Sequence, residues 1–118
     1  MQPAAENLPA PLDTPYTPEE LSKYKTPETG IYLAIKGTVF DVTRKADVYG
    51  PGKSYSVFTG KDGSRGLGMS SLKPEDAIDN IEGMDPKDEK TLNEWYAFFE
   101  KRYAIVGKVV KPDAKLES

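Results

Sequence analysis

The chain has 118 residues, 37% of them hydrophobic, and a formal net charge of −3, which is enough for one domain with a single modest core. It has no cysteine and no histidine, which removes disulfides, thiolate nucleophiles, histidine general bases and the ordinary zinc ligand sets at one stroke. The acidic balance, with no Lys/Arg block clear of acidic neighbours, excludes a nucleic-acid partner.

Residues 1–16 carry Pro3, Pro9, Pro11 and Pro15 among Ala, Asn and Glu, and predict a disordered Pro/Ala-rich leader. There is no basic stretch followed by an apolar one, so no secretory signal is expected. No apolar run approaches the roughly 20 residues of a membrane span, and the chain reads as cytoplasmic. The folded domain is expected over residues 17–111, followed by a polar tail at 112–118.

Thr17-Pro18-Glu19-Glu20 carries a capping box with proline at the first helical position, and Leu21 and Tyr24 are expected to face the core from a short helix. Ile31, Leu33 and Ile35 alternate, as in a half-buried strand. Lys36-Gly37 is a two-residue turn, and Thr38–Val42 is the return strand of a hairpin. Helix or turn character over 43–48 leads to Tyr49-Gly50-Pro51-Gly52, a sharp reversal, with Tyr55 six residues after Tyr49. Ser54 is expected to cap a short helix through Phe58, and Ser64 another through Gly68. Asp85-Pro86 opens the longest helix, to about Arg102, with an apolar stripe of Leu92, Trp95, Tyr96 and Phe99. A closing strand covers 103–110. The order predicts an α+β fold: a small mixed sheet, several short helices and one longer helix.

Few motifs survive inspection. Gly52-Lys53-Ser54 ends like a phosphate-binding loop, but Asp47 stands where its first glycine is required. Gly66 and Gly68 are followed by Ser71 where a dinucleotide fingerprint needs its third glycine. Asp85, Asp88 and Glu89 fit a solvated helix start, which the helix dipole favours. On residue chemistry alone, Tyr49 and Tyr55 are as well explained by packing, though both flank one turn and could share a cavity wall.

A resemblance changes that reading. Four segments carry it: Tyr32–Thr43, Tyr49-Gly50-Pro51-Gly52 through Tyr55, Val57, Phe58 to Leu67, then Leu92 with Trp95, and Tyr103 with Val106-Gly107-Lys108. Together they resemble the cytochrome b5-like haem/steroid-binding domain, and within it the membrane-associated progesterone receptor component family, including fungal damage-response members. True cytochrome b5 grips haem between two histidines, so a bis-histidine electron carrier is excluded here. The resemblance implies a non-enzymatic protein binding ferric haem b, with Tyr55 as axial ligand and Tyr49 donating a hydrogen bond to the ligating oxygen. It also implies that Arg102 and Tyr103 hold the haem propionates. Partners implied are cytochrome P-450 class monooxygenases of sterol synthesis, peripherally at the endoplasmic reticulum, and a haem-mediated homodimer. A sterol or steroid in the same cleft, or an interaction scaffold needing no haem, are the competing readings.

Overall fold

The computed structural model describes residues 8–111. Its five-stranded sheet has the order β1-β5-β4-β3-β2. The strands are β1 (Pro15–Tyr16), β2 (Lys25–Thr26), β3 (Gly30–Ile35), β4 (Thr38–Asp41) and β5 (Ala104–Val109). β1 runs parallel to β5 and the other pairings are antiparallel, so the sheet is mixed. The helices are α1 (Pro18–Leu21), α2 (Ala46–Tyr49), α3 (Ser64–Met69) and α4 (Pro86–Arg102), with single 3-10 turns at Thr43–Lys45, Ser54–Phe58 and Pro74–Asp76. Among the described residues no helix is long and apolar enough to cross a membrane.

Local chemistry accounts for most boundaries. The Glu20 N–H donates to the Thr17 hydroxyl at 3.2 Å and the Thr17 N–H donates to the Glu20 carboxylate at 2.9 Å, completing the capping box. Lys36 and Gly37 both take positive φ, 52° and 83°, as a two-residue hairpin turn requires. Asp85 caps α4 by accepting the Lys87 N–H at 2.9 Å. The expected caps at Ser54 and Ser64 are not formed. Lys53 and Gly63 occupy those positions without a side-chain cap, and Ser54–Phe58 is a 3-10 turn.

Ser64, itself buried, instead belongs to a part-buried polar knot. Its backbone N–H and hydroxyl both donate to one oxygen of Asp62, the Gly37 N–H donates to the other at 2.8 Å, and the Ser64 hydroxyl accepts from the Lys36 N–H at 2.7 Å. The knot ties the β3–β4 hairpin to the start of α3. Burial pushes the Asp62 carboxyl above its ordinary value, against the hydrogen bonds from Ser64 and Gly37, and nearby Asp79 adds to the rise. A carboxyl whose folded value is raised contributes most below its unfolded value of about 3.9, and less as pH rises through the folded value. Asp62→Ala is therefore expected to cost roughly 1–3 kcal/mol through its orphaned donors. The gap to wild type should be widest near pH 3.5 and narrower at pH 7. Urea unfolding at both values checks this; a gap that widens with pH would show the hydrogen bonds outweighing desolvation.

The main core lies between the helices and one sheet face, where Ile31, Leu33, Ile35, Phe40, Val42, Phe58, Leu92 and Phe99 are buried. The opposite face is also covered: Leu21 of α1, Ala34 and Val39 form a second cluster, with Tyr16, Tyr32, Val106 and Val109 packed around it. β3 is therefore more buried than alternation of Ile and Leu implies.

The expected leader over residues 1–16 is corrected only at its C-terminal end. Pro15–Tyr16 is strand β1, and the N–H groups of Lys108 and Val110 donate to the carbonyls of Thr14 and Tyr16, both at 2.9 Å. Leu12 donates to the Ile105 carbonyl at 3.0 Å. Proline-rich composition hides this strand because a prolyl residue is tolerated on a sheet edge. Residues 1–7 and the tail at 112–118 lie outside the described residues. The close approach needs Gly107, where a Cβ would lie 2.5 Å from the Tyr16 ring and nearer still to the Thr14 carbonyl oxygen. Gly107→Ala should displace β1 at a cost of about 1–3 kcal/mol. Hydrogen exchange reads it directly, as loss of protection at the Lys108 and Val110 amides.

Candidate functional site

The site is assembled where α2, the following turn and the C-terminal end of α4 meet. Tyr49 is the last residue of α2 and is buried. The chain then reverses through Gly50-Pro51-Gly52. Only Gly52 of the two glycines takes positive φ, 84°. Gly50 is required for another reason: a Cβ there would sit 2.5 Å from the Ala46 carbonyl oxygen, which caps α2 by accepting the Gly50 N–H. The reversal delivers Tyr55, half-buried, next to Tyr49. Their ring centroids are 5.9 Å apart, with planes inclined by 35°. The two tyrosines thus stand on one wall, as their spacing around the turn suggests.

Aromatic packing holds both rings. Tyr55 stacks on Phe58 at 6.0 Å and meets the edge of Trp95 at 6.5 Å. Tyr49 meets Phe99 at 6.2 Å, and Phe99 packs on Tyr103 at 4.9 Å. Burial pushes the Tyr49 phenol well above its ordinary value, and the neighbouring phenols of Tyr103 and Tyr55 push it further. The three phenols stand close enough to interact, and Tyr49 is held protonated at neutral pH.

Beside Tyr55 lies a hollow of about 150 Å3, walled by Tyr55, Phe58, Leu67, Ser71, Leu72 and Trp95. Gly66 at its back has no room for a Cβ, which would come within 2.9 Å of the Phe58 ring. Arg65 steadies the outer loop by donating to the Asn80 carbonyl at 3.0 Å. The volume is below the roughly 300–1,000 Å3 of pockets that enclose a small ligand. A planar ligand larger than this would lie against the wall with part of its edge inserted.

The remaining expected site residues sit at the end of α4. Tyr103 is buried, with the Arg44 guanidinium 5.0 Å from its ring centroid. Arg102 is 9% exposed, and its guanidinium lies 3.9 Å from the Phe98 ring centroid while donating to the Phe98 carbonyl at 3.2 Å. The structure thus brings Tyr49, Tyr55 and Tyr103 together, and turns Arg102 back along its own helix. Arg44 escaped the sequence reading, since a charged residue in a short helical turn carries no local mark of a site. Trp95 was legible in the α4 stripe and in the resemblance, though with no role of its own; its half-exposed ring is a wall of the hollow.

The donor set bears on what could bind. Among the described residues no three or more carboxylate, imidazole or thiolate side chains cluster as a conventional metal site would need. The phenol of Tyr55 is the hard oxygen donor among the residues that wall the hollow. Tyrosinate is an established haem ligand type, so the residues present fit a haem held through one phenol oxygen.

Comparison with known proteins agrees with the architecture. Residues 17–109 match the family model described as the cytochrome b5-like heme/steroid binding domain. The chain is 47% identical over 97 residues to the Arabidopsis thaliana protein named "Probable steroid-binding protein 3", covering 80% of this chain and 97% of that one. It is 37% identical over 117 residues to the cytochrome P450 regulator dap1 of Schizosaccharomyces pombe, covering 92% of this chain and 70% of the relative. A solved Arabidopsis thaliana structure described as having a cytochrome b5 like fold superimposes with a TM-score of 0.76 at 42% identity, covering 91% of this chain and 100% of that one. A family match over residues 17–109 and a superposition covering 91% of the chain leave one conclusion: the chain belongs to the cytochrome b5-like heme/steroid binding domain family.

Proposed function

We propose that this protein binds ferric haem b through the Tyr55 phenol oxygen and acts as a non-enzymatic regulator of cytochrome P-450 class monooxygenases of sterol synthesis. The observation that carries the reading is the Tyr49–Tyr55 pair, with ring centroids 5.9 Å apart and Tyr55 walling an aromatic-lined hollow, in a chain with no histidine or cysteine. The relative named as a cytochrome P450 regulator supports the partner class.

The residues divide the work. Tyr55 supplies a hard oxygen, which must give up its proton to bind a metal. Tyr49, whose proton is held by burial, remains a hydroxyl at neutral pH and is suited to donate to the Tyr55 oxygen, orienting it and tempering its charge. Phe58 and Trp95 fix the Tyr55 ring and keep water from its inner face. When bound, ferric haem would supply a Lewis-acidic iron whose hard anionic ligand favours the ferric over the ferrous state. Such a centre suits sensing or stabilising a partner better than shuttling electrons. A second haem-bearing subunit stacking on the open face, and peripheral attachment to the endoplasmic reticulum, belong to the same proposal.

Titration of the protein with haemin, followed by absorbance, tests it. A saturable one-to-one high-spin ferric spectrum of tyrosinate type is expected, and sedimentation with haemin should report a dimer. Failure to saturate would sink the haem reading.

A second reading is favoured by the apolar lining of the hollow and by a relative named for steroid binding. In it a steroid occupies this wall with no haem required. Progesterone binding that persists unchanged in Tyr55→Phe, in a protein that ignores haemin, would select it.

A further inference from the structure

Two arginines meet at the corner where α4 ends, and their side chains are used differently. The Arg102 guanidinium is nearly buried, lies 3.9 Å from the Phe98 ring centroid and donates to the Phe98 carbonyl, so it is engaged along its own helix. Arg44, from the 3-10 turn at Thr43–Lys45, is exposed. One of its terminal nitrogens donates to the main-chain carbonyl of Arg102, and the guanidinium stands 5.0 Å from the Tyr103 ring centroid. Tyr103 in turn packs on Phe99, which meets Tyr49, the neighbour of Tyr55. Arg44 therefore stands on the rim of the three-phenol wall, anchored by one N–H and stacked on a phenol.

A guanidinium has five N–H donors in a rigid planar fork suited to carboxylates, and it stays charged at any physiological pH. Anchoring by one donor and one ring face removes most of the side-chain freedom a surface arginine would lose on binding. Resting on the haem reading above, we propose that Arg44 is the residue that binds a carboxylate of the ligand at this rim, and that Arg102, engaged along its own helix, is not the carboxylate's cation. The ligand class it selects is a planar apolar molecule with an acidic edge, which describes a porphyrin bearing propionates and not a neutral steroid.

The test compares haemin with its dimethyl ester, which lacks the acid groups, on wild type, Arg44→Ala and Arg44→Lys. Wild type should prefer the diacid. Arg44→Ala should lose roughly tenfold in haemin affinity, as expected for an exposed charge-assisted pair, with ester affinity and the ferric spectrum unchanged. Arg44→Lys should recover part of the preference. Equal losses for both porphyrins would assign Arg44 a merely structural role and overturn the proposal. So would an Arg44→Ala protein that keeps the full diacid preference. If wild type takes up neither porphyrin, the haem reading itself falls and this assignment with it. Arg102→Met, which keeps the ring contact through an apolar chain, should lower thermal stability yet retain the preference for the diacid; loss of that preference alone would return the role to Arg102.

Discussion

Tyr55→Phe is expected to remove the tyrosinate-type ferric spectrum and to weaken haemin binding by more than the roughly 10–100-fold typical of losing an outer partner. The substitution deletes one oxygen and little else. The ring can still stack on Phe58 and meet Trp95, so thermal stability should stay within about 1 kcal/mol of wild type. Tyr49→Phe is the informative companion. If Tyr49 only orients the ligating oxygen, haemin should still bind with a recognisable tyrosinate spectrum, at an affinity lowered within that 10–100-fold range. The order of the two losses is the point. An equal or larger loss in Tyr49→Phe would exchange their roles, against the burial that keeps the Tyr49 proton in place. Identical titrations for wild type and Tyr55→Phe would remove Tyr55 from the metal altogether. An apolar steroid on the same wall has no use for the phenol proton, and its affinity should barely change in either variant.

How much of this was legible in advance divides along sequence distance. The capping box at Thr17 and Glu20, the Lys36-Gly37 turn and the proline-led start of α4 are decided within four residues, and each forms as its chemistry requires. The Tyr49–Tyr55 neighbourhood belongs to the same class, because one tight reversal brings the two rings together whatever the rest of the chain does. β1 does not. Its two residues have no pattern of their own and become a strand only by lying parallel to β5 at the other end of the chain. The second buried face, from Leu21, Ala34 and Val39, is hidden likewise: alternation in β3 marks one inward face, but cannot say that α1 folds over the other. Ser64 has the residue type of a cap, yet its hydroxyl donates to Asp62 and accepts from the Lys36 N–H, so it serves the hairpin instead of a free N–H of the helix end. The corner at Arg44 and Arg102 shows the same limit in the site. Resemblance points to Arg102 by position along the chain; the direction in which each guanidinium turns is set by tertiary packing against Phe98 and Tyr103.

Phe99→Ala should be the most damaging single truncation, at roughly 3–5 kcal/mol. Its ring is fully buried and touches five others: Phe40 at 5.4 Å, Tyr49 at 6.2 Å, Trp95 at 6.0 Å, Phe98 at 6.1 Å and Tyr103 at 4.9 Å. Phe40 belongs to β4, Tyr49 to α2 and Trp95 to α4, so this one side chain joins the sheet, the site and the long helix. A domain of this size has about 5–15 kcal/mol in hand, and each kcal/mol moves the melting temperature by about 4–8 °C. A fall of at least 12 °C is therefore expected in thermal unfolding, and a fall below 5 °C would show that Phe99 is not the hub its contacts describe. Phe98→Ala, half-exposed on the same helix, should cost much less. The functional consequence follows from position. Phe99 touches neither the hollow nor the proposed ligating oxygen, but it buttresses Tyr49 and Tyr103 from behind. Phe99→Leu restores most of the lost volume at a cost of about 1–1.5 kcal/mol, without restoring an aromatic edge for either tyrosine. If haemin affinity falls in Phe99→Leu while stability largely recovers, the phenol wall depends on being held by a ring; if both recover together, it depends only on being packed.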